Sequence, residues 1–392
     1  MSAVMPTYAR TEIAFERGEG VYLFTPDGRR YLDFGSGVAV VGLGHAHPHL
    51  VAALTEQAKR VWHTSNLYRI PGQERLAERL ARHSFADQVF FCNSGAEAME
   101  AAIKLARKYH HHAGRPERYR VIAFSGSFHG RTLATIAAGD SAKAREGFGP
   151  LVDGFDHAAW GNLNETRALI SDRTAAILVE PVQGESGVRL PPPGFLRALR
   201  QICDEFGLLL LYDEVQTGIG RTGKLFAYEW DGAAPDVMGL AKGLGGGFPI
   251  GAVLATNAAA AGMTAGSHGS TFGGNPLAAA CANAVLDVML EPGFFEHVQA
   301  MGRLLVERAQ DLARRHPGVI EEVRGHGLLV GVKCVVANAK LGAEMLERQV
   351  LTVLAGDNVL RLIPPLIVEP RHIDAAIAAL DESCRALAAA KS

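Results

Sequence analysis

Apolar runs along this chain stop abruptly at charged residues, and the stretches between them change period. Leu208 to Leu211 runs into Tyr212-Asp213-Glu214, and Val237 to Leu240 runs into Ala241-Lys242 and a set of glycines. Short continuous apolar runs of this kind predict strands buried on both faces. Val89 to Phe91, Val121 to Phe124 and Ala175 to Val179 read the same way. Between them the spacing becomes helical. Met99, Ala102, Ile103 and Ala106 share one face, with Lys104, Arg107 and Lys108 off it. Gln73 to Arg82, Phe195 to Phe206 and Leu277 to Leu290 also read as helices. Strand–helix alternation from Val89 to Leu254 predicts an α/β fold, a mostly parallel central sheet with helices on both faces.

The two ends of the chain have a different character. Val21 to Phe24 and Arg30 to Phe34 flank Pro26-Asp27-Gly28, which predicts a hairpin after an extended arm. Leu50 to Val61 has helical spacing, and Trp62 to Tyr68 is an irregular connector. From about Phe294 the pattern is of longer charged amphipathic helices, with strands at Val319–Arg324, Leu328–Val332 and Val359–Ile363. The run His110 to His112 reads as a solvated loop. His45, His47 and His49 alternate, but Pro48 breaks the strand that a metal site would need, so a turn entering a helix is expected.

Composition excludes some classes. A formal net charge of −2 argues against a general nucleic-acid binder. The five cysteines are odd in number and widely spaced, which argues against a disulfide framework and for a reducing cytoplasm. The first twenty residues lack the pattern of a secretory signal, and no apolar run has the length of a membrane span.

The chemistry gathers at the strand ends, where open parallel sheets bind ligands. A buried carboxylate, Asp213, and a buried lysine, Lys242, are costly unless paired or functional. Together they suit pyridoxal phosphate, with Lys242 as Schiff-base lysine and Asp213 on the pyridine nitrogen. Ser94 and Glu97 resemble a capping box, which puts the amides of Gly95 and Ala96 at a helix N-terminus able to hold a phosphate. Phe128 could stack on a ring and Arg131 could grip a carboxylate; core packing and a surface ion pair are the plainer alternatives. Glu180 and Glu185 follow another strand end. Arg361, inside an apolar strand, needs an anion, either internal or from a substrate. The glycines after Lys242 do not have the spacing of a nucleotide loop.

The stretches LGHAHP, SNLY, NSGAEAMEAAIKLAR, SFHGRT, VEPVQGESGV, LLYDEVQTGIGRTG, AKGLGGGFPIGA, HGSTFGGNP and LRLIPPL follow one another in order. By them the chain resembles the class III pyridoxal-phosphate aminotransferases of fold type I over nearly its whole length, and most of all the branch that acts on acetylornithine in arginine biosynthesis. The resemblance implies a large cofactor domain over 61–290. It also implies a smaller α/β domain built from both termini, 1–60 with its arm and 291–392, and a homodimer with sites at its interface. It assigns Lys242 and Asp213 to catalysis, and Gly95, Ala96, Phe128 and Gln216 to the cofactor. Thr271 would reach the cofactor phosphate, and Ser270 the substrate, from the neighbouring subunit. Arg131 would take the acetylornithine carboxylate, Arg361 the α-carboxylate of glutamate, and Glu185 would cover Arg361 in turn.

The implied reaction passes an amino group from N2-acetylornithine to 2-oxoglutarate, giving glutamate. Relatives acting on ornithine, succinylornithine, 4-aminobutyrate or lysine-pathway substrates share the cofactor motifs, and an isomerase uses similar parts. Val38 stands where ornithine enzymes of the family tend to have a tyrosine, which favours an acylated α-amino group. Arg131 and Arg361 together favour two carboxylate substrates, hence transfer. A non-enzymatic protein on this fold would be expected to have lost Lys242 or Asp213.

Overall fold

The computed structural model describes residues 3–389. Strands β1 (Arg17–Glu19), β2 (Tyr22–Phe24) and β3 (Arg30–Asp33) form an antiparallel N-terminal sheet. The expected hairpin is there, and its turn is Pro26-Asp27-Gly28. The central sheet then takes up β4 (Gln88–Cys92), β5 (Arg120–Phe124), β6 (Phe155–Ala158), β7 (Thr174–Val179), β8 (Leu209–Asp213), β9 (Val237–Leu240) and β10 (Gly251–Ala255). Their order is β4-β10-β9-β8-β7-β5-β6. Only β10 runs against its neighbours; the pairs β9–β8, β8–β7, β7–β5 and β5–β6 are parallel.

The third sheet comes from the C-terminal part: β11 (Ile320–His326), β12 (Leu329–Cys334), β14 (Val353–Ala355) and β15 (Val359–Leu362). Between them, β13 (Val350–Leu351) crosses to the N-terminal sheet and pairs parallel with β3. The two chain ends are thereby stitched together.

Strand character follows burial. Every residue of β7, β8 and β9 is buried. Leu210, Leu211, Ile177, Leu178 and Met238 have no exposed surface. Truncating any of them to alanine costs about 2–5 kcal/mol. The helix Phe195–Phe206 lies between Gly194 and Gly207, both in the left-handed region, so its ends fall where the spacing predicts.

The histidine run differs from its expectation. His110 to His112 complete the helix Gly95–His112 rather than forming a loop. His110 continues the face of Ile103 and Ala106, is fully buried, and its Nε2 donates to the Ala175 carbonyl at 2.9 Å. Burial pushes its pKa down, so it sits there as a neutral packing residue. The alternating histidines do form a turn into the helix Pro48–Ala58. His45 pairs with Asp33 and His49 with Asp287. No cluster of metal-ligating side chains occurs among the described residues. No single helix there is long and apolar enough to cross a membrane. All five cysteines are free and buried, and burial raises the pKa of each.

Candidate active site

The C-terminal ends of β5, β7, β8 and β9 open on one side of the central sheet, and a cavity of about 430 Å³ lies there. Asp213 ends β8. Lys242 follows β9 after a single residue and stands at φ 44°, in the region that side chains rarely adopt. A residue held there costs about 1–3 kcal/mol and persists only where its surroundings enforce it. Gly243, Leu244 and Gly245, all buried, supply that enclosure.

Asp213, Lys242, Gly95, Ala96, Phe128, Arg131, Glu185 and Gln216 all line this cavity. Stretches from Asn93 to Lys242 thus converge on a single space. Burial pushes the Lys242 amine down. The charges of Glu185, Asp213 and Glu180 oppose this, and Arg361 adds to it. The outcome is an amine drawn toward its neutral, nucleophilic form.

Asp213 is held from both sides. Its Oδ2 accepts from His129 Nδ1 at 2.8 Å and its Oδ1 from the Val215 N–H at 3.0 Å. The sequence reading passed over His129, although it stands in SFHGRT between the two residues singled out there. The one available signal was a histidine beside a strand end carrying no charged neighbour of its own. Its Nε2 is buried without a hydrogen-bond partner among the described residues.

The phosphate-type feature is also formed. Ser94 Oγ accepts the Glu97 N–H at 3.2 Å, and the Glu97 carboxylate returns to the Asn93 N–H at 2.8 Å. The first amides of the helix, including those of Gly95 and Ala96, have no partner within it. A Cβ on Gly95 would lie 2.7 Å from Val215, so only glycine lets the chain come this close.

Behind the Glu185 and Gln216 side of the cavity wall lies Arg361, 1 % exposed and not itself in the wall. Its Nη1 reaches Glu185 Oε1 at 2.7 Å and Gln216 Oε1 at 3.3 Å, and its Nη2 reaches Glu185 Oε2 at 3.2 Å. Burial works against the Glu185 charge, but the Arg361 guanidinium outweighs it and holds that carboxyl below its usual range. Glu180 behaves oppositely. Burial and the nearby Asp213 carboxylate push it well above the usual range, while its Oε2 accepts the Phe128 N–H at 3.1 Å. Arg131 is exposed, lies 5.7 Å from the centre of the Phe128 ring and makes no salt bridge among the described residues.

Besides Arg361, three positions fall outside the cavity wall. Ser270 accepts from Asn93 Nδ2 at 3.1 Å, at the rim, and Thr271 is exposed. Val38 packs against the small buried cluster of Val182, Val188, Leu329 and Ile363, while Val40 is the residue of its turn that meets the cavity.

Residues 4–383 match the family described as aminotransferase class-III. The chain is 59% identical over 389 residues to acetylornithine aminotransferase 1 of Bradyrhizobium diazoefficiens, covering 99% of this chain and 96% of that protein. It is similar in structure to an N-acetylornithine aminotransferase from Stenotrophomonas maltophilia, with a TM-score of 0.85 at 37% identity and 98% of each chain covered. An ornithine aminotransferase from Toxoplasma gondii, described with partial occupancy of PLP at its active site, gives a TM-score of 0.92 at 32% identity. That match covers 98% of this chain and 92% of that one.

Proposed function

The chain belongs to the class-III aminotransferases, and from that membership we propose that it moves the δ-amino group of N2-acetyl-L-ornithine to 2-oxoglutarate. The products are N-acetyl-L-glutamate 5-semialdehyde and L-glutamate, a step of arginine biosynthesis. The observation that carries this reading is a pair of arginines, Arg131 in the cavity wall with no salt bridge among the described residues, and Arg361 just behind the wall, clamped by Glu185, which lines it. Two separate carboxylate grips suit a donor and an acceptor that each bring a carboxylate. The names of the most similar relatives support the choice of acetylornithine.

Pyridoxal phosphate is the cofactor that these residues fit. The donor set is a desolvated amine, a carboxylate braced by an imidazole and an amide, and a glycine-lined helix N-terminus facing the same space. When bound, it supplies an aldehyde that takes up amines and a ring that accepts the electron pair freed at carbon. Lys242 would hold the aldehyde, Asp213 the pyridine nitrogen, the amides of Gly95 and Ala96 the phosphate, and Phe128 one ring face. Gln216 would lie near the ring hydroxyl. Thr271 and Ser270 would serve the site of a second copy of the chain in a homodimer.

The protein's own part in the chemistry is then proton management and grip. Asp213, its carboxylate fixed by His129 and Val215, would hold a proton on the ring nitrogen. Lys242 Nζ, drawn toward neutrality by burial, would serve as the base that moves the substrate proton. Arg131 holds the carboxylate of acetylornithine while Glu185 covers Arg361. When glutamate or 2-oxoglutarate enters, Glu185 swings off and Arg361 takes the α-carboxylate. The large cofactor region is 61–290 and the smaller one joins 1–60 to 291–392.

The test is a single-turnover titration of the cofactor-loaded protein without oxoacid, following its absorbance. N2-acetylornithine is expected to convert it fast, and ornithine, N2-succinylornithine and 4-aminobutyrate slowly. Equal conversion by ornithine would reduce the assignment to a broad ω-aminotransferase.

A further inference from the structure

One wall of the cavity is set by a segment in an unfavourable conformation. Ser36, Gly37, Val38 and Ala39 have φ of 49°, 62°, 65° and 63° in succession. Glycine adopts that region freely, alanine and serine rarely, and a β-branched residue such as valine is an outlier there. Something must hold the turn in place.

Asp33, at the end of β3, has the contacts to do so. It is 2 % exposed and does not line the cavity. Its Oδ1 accepts the N–H groups of Gly35 at 2.9 Å and Ser36 at 2.8 Å, and its Oδ2 takes His45 Nε2 at 2.8 Å. The turn so held has two outputs. Val40, the next residue along, lines the cavity. Ser36 Oγ donates to the Ile363 carbonyl at 2.7 Å, and the Ile363 N–H donates to the Phe34 carbonyl at 2.8 Å. Ile363 is two residues beyond Arg361, so the chain that carries Arg361 hangs from this turn. Behind it, the buried Arg221 donates to the carbonyls of Leu328 at 3.0 Å and Pro364 at 2.6 Å, with the Asp33 charge acting on it. Asp33 therefore stands where the strained turn, the Arg361 strand and a buried guanidinium meet.

We propose that Asp33 is a positioning residue for substrate. It holds the left-handed turn 36–39, and through it sets the Val40 wall and the seat of Arg361. The inference rests on the cavity being the amino-transfer site. Asp33 acts on the substrate end and leaves the cofactor end alone, since its side-chain hydrogen bonds among the described residues go to Gly35, Ser36 and His45 and not to Asp213, Lys242 or the helix that begins at Gly95.

The experiment compares Asp33→Ala, Asp33→Asn and Ser36→Ala in the full-length, pyridoxal-phosphate-loaded chain. Asp33→Ala is expected to raise KM for both N2-acetylornithine and 2-oxoglutarate about tenfold, with kcat within about threefold, because buried N–H groups lose their acceptor. Cofactor affinity, read by absorbance titration, stays unchanged. Asp33→Asn keeps an oxygen for the two N–H groups and is expected to restore most of the KM. Ser36→Ala, a smaller lesion of the same link, raises KM about threefold; it carries the test if Asp33→Ala does not fold. Adding Val38→Gly to Asp33→Ala should recover part of the KM, since glycine takes this φ without help. Unchanged KM in both folded alanine variants overturns the proposal. So does a parallel loss of kcat, cofactor affinity and KM, which would mark general damage. A wild-type protein inert toward both substrates would overturn the function reading along with it; a competent wild type with an unaffected Asp33→Ala overturns the positioning role alone.

Discussion

The two ends of the cavity are built in different ways. Asp213 ends β8 and Lys242 follows the parallel neighbour β9 after one residue; Asp213 is buried, Lys242 half-buried, and both strands that deliver them are wholly buried. Glu185, Gln216, Arg361 and Val40 come from separate stretches and are joined by side-chain hydrogen bonds and a turn held against its preference. Rigid packing suits the end that must keep a base and a ring partner in register, since a misplacement of an ångström there costs rate. Exchangeable polar contacts suit the end that must accept unlike molecules in turn. In the proposed reaction an entering carboxylate would take the place of Glu185 on Arg361, so that the buried guanidinium is never left unpaired.

The largest test of this contrast is Lys242→Ala. Turnover should fall by about 10⁴-fold or more, because both the aldehyde anchor and the base are lost. Steady-state rates with saturating substrates measure it, and near-full activity would refute the site. Arg361→Lys probes the other end. It keeps the charge but loses the fork, so KM for glutamate and 2-oxoglutarate should rise roughly tenfold to a hundredfold. The N2-acetylornithine half-reaction and the cofactor spectrum should change little; equal damage to both half-reactions would erase the distinction between the two grips.

The smallest expected effect on turnover is at Glu214, the neighbour of Asp213. Glu214 is buried, makes no salt bridge among the described residues and accepts the N–H groups of Ala227 and Tyr228 at 2.7 and 2.9 Å. Burial pushes its pKa from 4.5 up to about 7. A carboxyl raised in this way favours the folded state below about pH 4.5, and that contribution is lost as pH rises through about 7. Glu214→Gln should leave turnover intact and remove up to about 3 kcal/mol of this pH dependence. Urea midpoints at pH 5 and pH 8 read it out; an unchanged difference between them would show that Glu214 is ionised throughout.

The rigid end was the legible one. Apolar runs that stop at Asp213 and Lys242 are a local signal, and the capping pattern at Ser94 and Glu97 is local too. The other end depends on contacts between residues far apart in the chain. Arg361 could be read as needing an anion, but Glu185 as its partner rested on a family resemblance. His129 was passed over because its role exists only once β5 and β8 lie in the same sheet. The turn at Ser36–Ala39 was invisible for a stronger reason: the φ preferences of its residues argue against it, and it is held by short-range bonds to Asp33 together with the distant Ile363 carbonyl. His110 was misread for a related cause. Three histidines and a following glycine suggest solvent, whereas the helical register carries the first of them into the core.

The five buried thiols have a consequence for how this protein can be watched. Cys92 ends β4, Cys203 lies in the helix before β8, Cys281 in the helix Pro276–Met289, Cys334 ends β12, and Cys384 lies in the helix Pro370–Ala389. Each is hidden and held in its unreactive form, so an alkylating reagent must wait for the surrounding structure to open. The order in which these sulfurs become labelled under mild denaturant is thus a clock for the separate loosening of the chain's parts, written into it without any added probe.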